Sequence, residues 1–311
     1  MNKIIEVDRL SKSFGKVNAV NNISFYVEEG SLFSFLGTNG AGKSTTISII
    51  LTLLKQNKGE VKVNGYTVGK HDYAIRKEIG VVFQDSVLDA LLTVKENLDI
   101  RGSFYGFSKK ERKAAIRRVA EIADCTSFLD RPYGKLSGGQ KRRADIARAL
   151  IHQPTILILD EPTTGLDPQS RKNIWAMILQ LQRETRMTIF LTTHYIEEAA
   201  NSDYVVVMKE GFIIAKGTPE QLKNDYSSDQ LTLTTNKADE LREALVLGNI
   251  NFIEDKSLFL VQLAQTTDAI PILSKFTSLI TSFEVQKSSL DDVFITINRK
   301  DVDQSVSDCE T

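Results

Sequence analysis

Short apolar runs of β-type composition alternate with stretches of helical periodicity from the start of the chain to about residue 220, the pattern of an α/β layer fold. The predicted strands are Ile4–Val7, Ile23–Val27, Leu32–Leu36, Val61–Val63, Val81–Phe83, Ile156–Leu159, Thr188–Thr192 and Tyr204–Met208. Several are apolar at every position, as expected of strands buried on both faces. Strand signals cease between 88 and 152, where Ser108 and Glu111 make a capping box ahead of Ile116, Val119, Ala120 and Ala123 at helical spacing. A helical subdomain is therefore inserted into the α/β body over residues 88–152. A further helix starts at Asp167 and Pro168, an N-cap followed by proline in the first turn, with Ile174, Met177, Ile178 and Leu181 on one face. Trp175 borders that face and is assigned to packing.

After the hairpin-like stretch Lys209-Glu210-Gly211 the composition changes, and the polar residues Lys223 to Gln230 mark a linker. This divides the chain into a first domain, 1–222, and a smaller second domain, 228–299, followed by a polar, frayed tail over 300–311. The second domain reads as a strand near Leu231–Leu233, a helix near Ala238–Leu245, strands near Ile250–Ile253 and Leu258–Leu263, a helix through Ile272, Phe276 and Leu279, and a strand near Phe283–Val285. That order, β-α-β-β-α-β, is the ferredoxin-like one. A last helix carries Leu290, Val293 and Phe294.

Composition narrows the function classes. With 311 residues, 41% of them hydrophobic and 25% charged, the chain has ample material for a globular core. Lys plus Arg number 39 against 40 Asp plus Glu, a formal net charge of -1, so no overall basic field exists to hold a nucleic-acid backbone, and no nucleic acid is expected as partner. Cys125 and Cys309 cannot form a disulfide framework and lack zinc-site spacing, which fits a reducing compartment. The N-terminus is broken by charges too early for a signal peptide, and no apolar run approaches the roughly 18 residues of a membrane span. The chain by itself is expected to be cytosolic.

The strongest chemical signal is Gly37-Thr38-Asn39-Gly40-Ala41-Gly42-Lys43-Ser44-Thr45, directly after the buried run Leu32–Leu36 and before a helical pattern through Ile47 to Leu54. Strand, glycine-rich turn and helix in that order are the context of a P-loop. Glycines at 37, 40 and 42 let backbone N–H groups point inward at a helix N-terminus, where a triphosphate needs many donors in a small arc. A helix end contributes only about 0.3–1 kcal/mol with an anion, so the ammonium of Lys43 and a metal must supply most of the neutralisation. Ser44 can offer its hydroxyl to Mg²⁺.

Ile156-Leu157-Ile158-Leu159-Asp160-Glu161 is a buried strand ending in two carboxylates whose side chains point to opposite faces. Asp160 can hold the metal, directly or through water, while Glu161 at the strand tip can polarise an attacking water. Without the P-loop upstream, the pair would read as a cap on the following turn. Leu136-Ser137-Gly138-Gly139-Gln140 precedes a helical stretch that ends before Pro154. Read locally, Ser137 is an N-cap and the glycines a turn. Beside a P-loop it reads instead as a second anion site, one that meets the γ-phosphate held by a partner subunit.

Together these motifs resemble the ATP-binding cassette (ABC) ATPases over about residues 3–220. Besides the P-loop, the likeness rests on Gln84 after the strand at Val81–Phe83, on Leu136 to Gln140, on Asp160-Glu161, on Gly165-Leu166-Asp167-Pro168, and on His194 after Leu191-Thr192-Thr193. The resemblance implies a P-loop NTPase cassette of α/β class, a RecA-like core with antiparallel β and helical subdomains, plus a small α+β C-terminal domain. It implies ATP and Mg²⁺ as cofactors, the metal held by Ser44, Asp160 and Gln84. It implies a head-to-tail homodimer in which each ATP lies between one copy's P-loop and the other's Ser137, Gly138, Gly139 and Gln140. In that scheme Glu161, His194, Gln84 and Lys43 are catalytic, Asp167 links the two sites, and Phe14 occupies the adenine-stacking position. Thr38 departs from the family, which usually has proline there; backbone donors are unaffected, so altered loop stiffness is expected. His71 and His152 match no motif.

The stretches Leu92 to Leu98, Gly102 to Gly106, Gly139 to Asp145 and Ser288 to Phe294 are similar to the daunorubicin-resistance and multidrug exporter ATPases. The last is also readable as a capped amphipathic helix. The basic residues Lys109, Lys110, Arg112, Lys113, Arg117 and Arg118 form a solvated helix face opposite Ile116, Val119 and Ala120. The expectation is an exporter motor that hydrolyses ATP and docks, through the Gln84 region and the helical insertion, on a separate transmembrane permease at the cytoplasmic face of the membrane. An importer ATPase with a regulatory C-terminal domain and a soluble, non-transport cassette ATPase are the alternatives.

Overall fold

The computed structural model describes residues 2–256, 258–294 and 296–297. Two compact units are present, the first ending at Lys216 and the second beginning at Gly217. The first contains, in chain order, β1 (Lys3–Phe14), β2 (Val17–Glu28), β3 (Leu32–Gly37), α1 (Lys43–Ile50), β4 (Lys58–Val63), β5 (Tyr66–Thr67), α2 (Asp72–Glu78), β6 (Ile79–Val82), α3 (Val94–Ser103), α4 (Lys109–Ile122) and α5 (Gly138–Leu150). It continues with β7 (Ile156–Asp160), α6 (Pro168–Thr185), β8 (Thr188–Thr193), α7 (Ile196–Ala199), β9 (Tyr204–Lys209) and β10 (Phe212–Gly217). The second contains α8 (Pro219–Tyr226), β11 (Asp229–Thr234), α9 (Ala238–Leu247), β12 (Phe252–Asp255), β13 (Leu258–Leu263), α10 (Ala269–Phe276) and β14 (Ser282–Gln286).

A six-stranded sheet, ordered β10-β9-β3-β8-β7-β6, forms the centre of the first unit, and β9, β3, β8, β7 and β6 pair parallel. Every residue of β3 and β8 is buried, and successive side chains feed two different cores. Phe33, Phe35, Ile156, Ile158 and Phe190 pack toward the antiparallel sheet β2-β1-β4-β5. Leu32, Leu157, Leu159, Ile189 and Leu191 pack toward α3 to α6. This two-sided burial is why these strands read as unbroken apolar runs. On the first side Phe25, Phe33, Phe35 and Phe190 form an aromatic cluster, with Phe33 and Phe190 centred 4.9 Å apart.

Between β6 and β7 the described residues form three α-helices, opened by capping boxes at Thr93/Glu96, Ser108/Glu111 and Ser137/Gln140. Asp167 caps α6, with Pro168 in its first turn. The strand expected at Val81–Phe83 runs instead from Ile79 to Val82; along its free edge the carbonyls of Ile79, Val81 and Phe83 meet the side chains of His152, Arg148 and Arg142.

The second unit is a four-stranded antiparallel sheet ordered β12-β13-β11-β14, with α9 and α10 packed on one face through Leu231, Leu233, Leu241, Leu245, Phe259 and Phe276. Its order is that of the ferredoxin-like fold. The segment expected as a linker from Lys223 to Gln230 is largely ordered structure. Thr218 and Gln221 form a capping box, Pro219 opens α8, and buried Leu222 anchors it, so the helix runs across the expected boundary at 222. Only residues 227–228 separate α8 from β11. Residues 290–294 and 296–297 are helical and bury Leu290, Val293 and Ile297. The tail 300–311, with Cys309, lies outside the described residues.

Phe259 is fully buried and its ring centroid stands 5.4 Å from that of Phe252. Phe259→Ala is expected to cost the second unit about 3–5 kcal/mol. Hydrogen exchange on the full chain checks it: amide protection across β11 and β13 should fall accordingly, while β3, β7 and β8 keep theirs.

Candidate active site

Strands β3, β8 and β7 are neighbours in a parallel sheet, so their carboxyl ends open on the same edge, which is where ligands bind in open α/β sheets. Beyond β3 the chain turns through 38–42 into α1. Gly40 and Gly42 have φ of +81° and +99°. A Cβ on Gly42 would stand 2.2 Å from Ala19 O, and one on Gly37 2.4 Å from Met208 O. Glycine is what lets the loop lie this close to neighbouring backbone. Thr38, Asn39 and Gly40 are exposed, Ala41 turns its methyl into the core, and Ser44 and Thr45 follow in the first turn of α1, Ser44 exposed. Ala41 therefore offers a ligand only its backbone.

Lys43 is buried. Its ammonium donates to Gly37 O at 2.7 Å and to Thr38 O at 3.0 Å, and stands 3.9 Å from Glu161 Oε1. Burial pushes its pKa down, against the fields of Glu161 and Asp160.

Asp160 ends β7, and Thr192 of β8 donates its hydroxyl to Asp160 Oδ1 at 2.6 Å. The same hydroxyl oxygen accepts from the Glu161 N–H at 3.0 Å. Burial pushes the Asp160 carboxyl above the ordinary range; the Thr192 hydrogen bond, Lys43 and Arg142 oppose this, and the Glu161 charge adds to it. Glu161 adopts φ of +46°, a left-handed conformation that is uncommon outside glycine and recurs at functional sites. Its Oε2 accepts from Thr164 at 3.0 Å and lies 3.4 Å from His194 Nδ1, close but without hydrogen-bond alignment. His194 packs against Tyr195, with ring centroids 4.1 Å apart and the rings tilted by 39°. Buried Glu198 accepts from Thr163 and, at 2.6 Å, from Thr193, tying the loop after Glu161 to the strand end before His194.

Lys43, Asp160, Glu161 and His194 thus form one cluster. The other expected site residues lie apart from it. Ser137 caps α5, accepting from Gln140 N at 3.3 Å, while Gln140 Oε1 accepts from Ser137 N at 3.1 Å. Gly138 and Gly139 pack on the loop of the same chain that opens α6: added Cβ atoms would stand 3.2 Å from Leu166 Cδ2 and 2.8 Å from Ser170 Oγ. Asp167 accepts from Ser170 N at 2.9 Å, and its hydrogen bonds with Ser170 hold its pKa down. Among the described residues no hydrogen bond or ion pair joins Ser137–Gln140 to the 37–45 loop. Gln84 is exposed, and its carbonyl accepts from Arg142 at 3.2 Å. Phe14 is 51% exposed, with Lys12 Nζ 5.1 Å from its ring centroid, so the ring is open for stacking.

Several contributors escaped the sequence reading. Arg142 donates to Phe83 O at 2.7 Å, Arg148 donates to Val81 O, and Asp145 accepts from Ser86 at 2.6 Å and Tyr133 at 3.2 Å. These three charges recur every third residue on α5 among Ala144, Ile146, Ala147 and Ala149, and charges in so apolar a run are the signal that marks them. Nothing local marks Thr192 or Glu198.

The donor set fits a magnesium nucleotide. Among the described residues no three His, Cys, Asp or Glu side chains cluster as a dedicated metal cage. Mg²⁺ typically takes one or two carboxylates, with phosphate oxygens and water completing its shell. Ser44 and Asp160 are a hydroxyl and a carboxylate of that kind beside a loop built for phosphates.

Residues 20–164 match the ABC transporter family, and residues 217–297 match the family described as ATP-binding protein DrrA1-3-like, C-terminal domain. The chain is 34% identical to the linearmycin resistance ATP-binding protein LnrL of Bacillus subtilis, over 94% of this chain and 98% of the relative. It is 34% identical to the Nod factor export ATP-binding protein I of Bradyrhizobium diazoefficiens, over 97% of this chain and 99% of the relative. To the daunorubicin resistance ATP-binding protein DrrA3 of Streptomyces coeruleorubidus it is 31% identical, over 96% of each. Among solved structures, the dimeric cassette MJ0796 bound to ADP and Pi aligns with TM-score 0.63 and 30% identity, over 69% of this chain and 98% of that one. CbiO1 from Clostridium perfringens, part of the ABC transporter complex cbiONQ, aligns with TM-score 0.68 and 28% identity, over 79% of this chain and 96% of that one.

The raised pKa of Asp160 sets a pH dependence. A carboxyl with a raised folded pKa contributes stability below its unfolded pKa of about 3.9 and loses it as pH rises through the folded value. Asp160→Asn is therefore expected to be more stable than the parent chain at neutral pH, the difference closing below about pH 4. Urea midpoints of both chains at the two pH values, in EDTA without nucleotide, check this.

Proposed function

Because the chain belongs to the ATP-binding cassette ATPases of ABC transporters, we propose that it is the motor subunit of an exporter, working as a head-to-tail dimer docked on a separate transmembrane permease. The observation that carries the ATPase reading is the acidic pair Asp160–Glu161 beside a P-loop lysine, with Glu161 Oε1 3.9 Å from the Lys43 ammonium. Full-length kinship to resistance and export proteins, extending through the C-terminal domain, supports export over import. No helix among the described residues is long and apolar enough to cross a membrane, which fits a motor whose permease is another chain, bound at the cytoplasmic face.

ATP lays its phosphates on the backbone N–H groups of 40–45 and on Lys43, with the adenine on Phe14. Ser44, Asp160 and Gln84 would hold Mg²⁺, which when bound would supply charge neutralisation to the phosphates. Glu161 accepts a proton from the water that attacks the γ-phosphorus; the bond to the leaving ADP oxygen breaks as the new P–O bond forms. The left-handed backbone at Glu161 and the Thr164 hydroxyl fix its carboxylate for that task. His194, beside Glu161, contacts the γ-phosphate. Ser137, Gly138, Gly139 and Gln140 of a second copy close over the same phosphate, and Asp167 joins the two sites. Nucleotide closes the dimer and product release reopens it.

Docking falls to the surface around 83–87 and the tip of the helical subdomain. Leu53, Tyr73, Val87 and Phe104, exposed by 61%, 75%, 59% and 73%, surround one groove there, an apolar patch of the kind that marks protein interfaces.

Glu161→Gln is expected to bind Mg-ATP and dimerise stably while hydrolysis falls by about 10²–10⁴; phosphate release and size-exclusion chromatography measure both, and undiminished hydrolysis would remove Glu161 from its role. Lys43→Ala should lose nucleotide affinity in an equilibrium binding assay, and wild-type affinity there counts against the P-loop assignment.

A further inference from the structure

The backbone around His194 is tied on both sides. Thr193 donates its hydroxyl to Glu198 at 2.6 Å, and the same oxygen accepts from the Tyr195 N–H at 2.9 Å. The imidazole is a different matter. Among the described residues it makes no hydrogen bond: Nδ1 is buried without a partner, 3.4 Å from Glu161 Oε2. That carboxylate oxygen is already served by the Thr164 hydroxyl at 3.0 Å. The side chain is 33% exposed, so with Nδ1 buried it is Nε2 that faces a ligand.

What aims the ring is the next residue. The Tyr195 ring lies 4.1 Å from it between centroids. Tyr195 is in turn contacted by a cation, the guanidinium carbon of Arg171 standing 4.0 Å from its ring centroid. An arginine within about 6 Å of an aromatic face is attracted to it, and more strongly as water is excluded. Arg171 has no other partner for its charge. Among the described residues no carboxylate pairs with it, its side chain makes no hydrogen bond, and its Nε is buried unpaired. Its backbone is fixed in the first turn of α6, where its N–H donates to Asp167 O at 2.9 Å. A half-buried guanidinium that forgoes its hydrogen bonds is costly. The ring contact is what offsets that cost.

We propose that Arg171 is a positioning residue for His194: held on the Tyr195 ring, it fixes the imidazole with Nδ1 turned toward Glu161 and Nε2 turned outward. The inference rests on the reading of His194 as a γ-phosphate contact and adds what aims it. The two ring nitrogens are not equivalent, because in a neutral imidazole one donates while the other accepts. An imidazole free to rotate about its side-chain bonds presents either nitrogen, or its carbon edge, to a phosphate oxygen. Packing on a restrained tyrosine removes that freedom before nucleotide arrives, and displacements of about 1 Å at such a contact cost up to about a hundredfold in rate.

The test reads position and rate separately in the full chain. There are three histidines, so His194→Gln assigns the His194 ring protons in an NMR spectrum by difference. The Tyr195 ring should shift those protons upfield in the parent chain and in Tyr195→Phe, whereas Arg171→Leu should shrink the shift and Tyr195→Leu abolish it. In phosphate-release assays Arg171→Leu should lower kcat for ATP by about tenfold to a hundredfold with KM unchanged, since the P-loop is untouched. Tyr195→Phe should retain the parent rate. The double variant Arg171→Leu/Tyr195→Leu should be no slower than Tyr195→Leu alone, because the two act through one contact. Arg171→Gln, neutral and of similar reach, repeats each readout if the leucine variant fails to fold.

A full kcat in the neutral Arg171 variants, additive losses in the double variant, or a fall in kcat with the His194 shift unmoved overturns the positioning role. Each of these leaves the ATPase reading standing. Undiminished hydrolysis in His194→Ala removes His194 from the chemistry and overturns both the γ-phosphate contact and the role of Arg171.

Discussion

Lys43 must keep an ammonium where water barely reaches it, and much of the site follows from that constraint. A buried cation without partners costs many kcal/mol, so it is found paired and hydrogen-bonded or it loses its charge. Here the loop supplies two carbonyls, those of Gly37 and Thr38, and the adjacent strand end supplies the fields of Glu161 and Asp160. Those carboxylates in turn need anchoring. One hydroxyl, that of Thr192, donates to Asp160 and accepts from the Glu161 N–H, so a single atom on the intervening strand fixes both acids. The parallel order β3-β8-β7 is what puts that strand between the lysine and the acids.

A second layer sets the loops beyond the strand ends. Glu198 is buried, and its two carboxyl oxygens meet the hydroxyls of Thr163 and Thr193. It locks the turn after Glu161 to the residue before His194, which keeps the imidazole beside the Glu161 carboxylate. The left-handed φ at Glu161 is a cost held in place by this network, since the loop is tied at Thr163, Thr164 and Thr192. Supports of this kind hold the Glu161 carboxylate at one position.

What the sequence disclosed follows from how local each signal is. The glycine-rich loop, the strand ending in Asp160-Glu161 and the cap at Ser137 are contiguous, and their backbone requirements are written in residue type: positive φ or close backbone approach at Gly37, Gly40 and Gly42, a capping box at Ser137 and Gln140. The β-α-β-β-α-β order of the second unit was legible for the same reason, since each element carries its own periodicity. Contacts between distant segments left no such mark. Thr192 is one threonine among many until the strand order sets it against Asp160. The segment after β6 is held by Arg142, whose hydrogen-bonded carbonyls lie 59 and 58 residues away in the chain. The boundary expected at 222 erred because polar composition was taken for loop where Thr218, Pro219 and Gln221 were spelling a helix start.

The helix α5 joins the two functions assigned to the first unit. It is 13 residues long, about 20 Å at 1.5 Å per residue. At its start stand Ser137 and the glycines that meet the Leu166–Ser170 loop; along its length Arg142 and Arg148 grip the carbonyls of Phe83, Gln84 and Val81. These are charge-assisted bonds to one short backbone segment, stronger than neutral ones and aimed by the fork of the guanidinium. A displacement at the Ser137 end is therefore carried to the Gln84 segment through a rigid rod. Arg148 belongs to both the grip and the groove floor, and its Nε is left free there. The residue that holds the segment thus also lines the surface groove beside it, so a change at either end of α5 loads the same guanidinium.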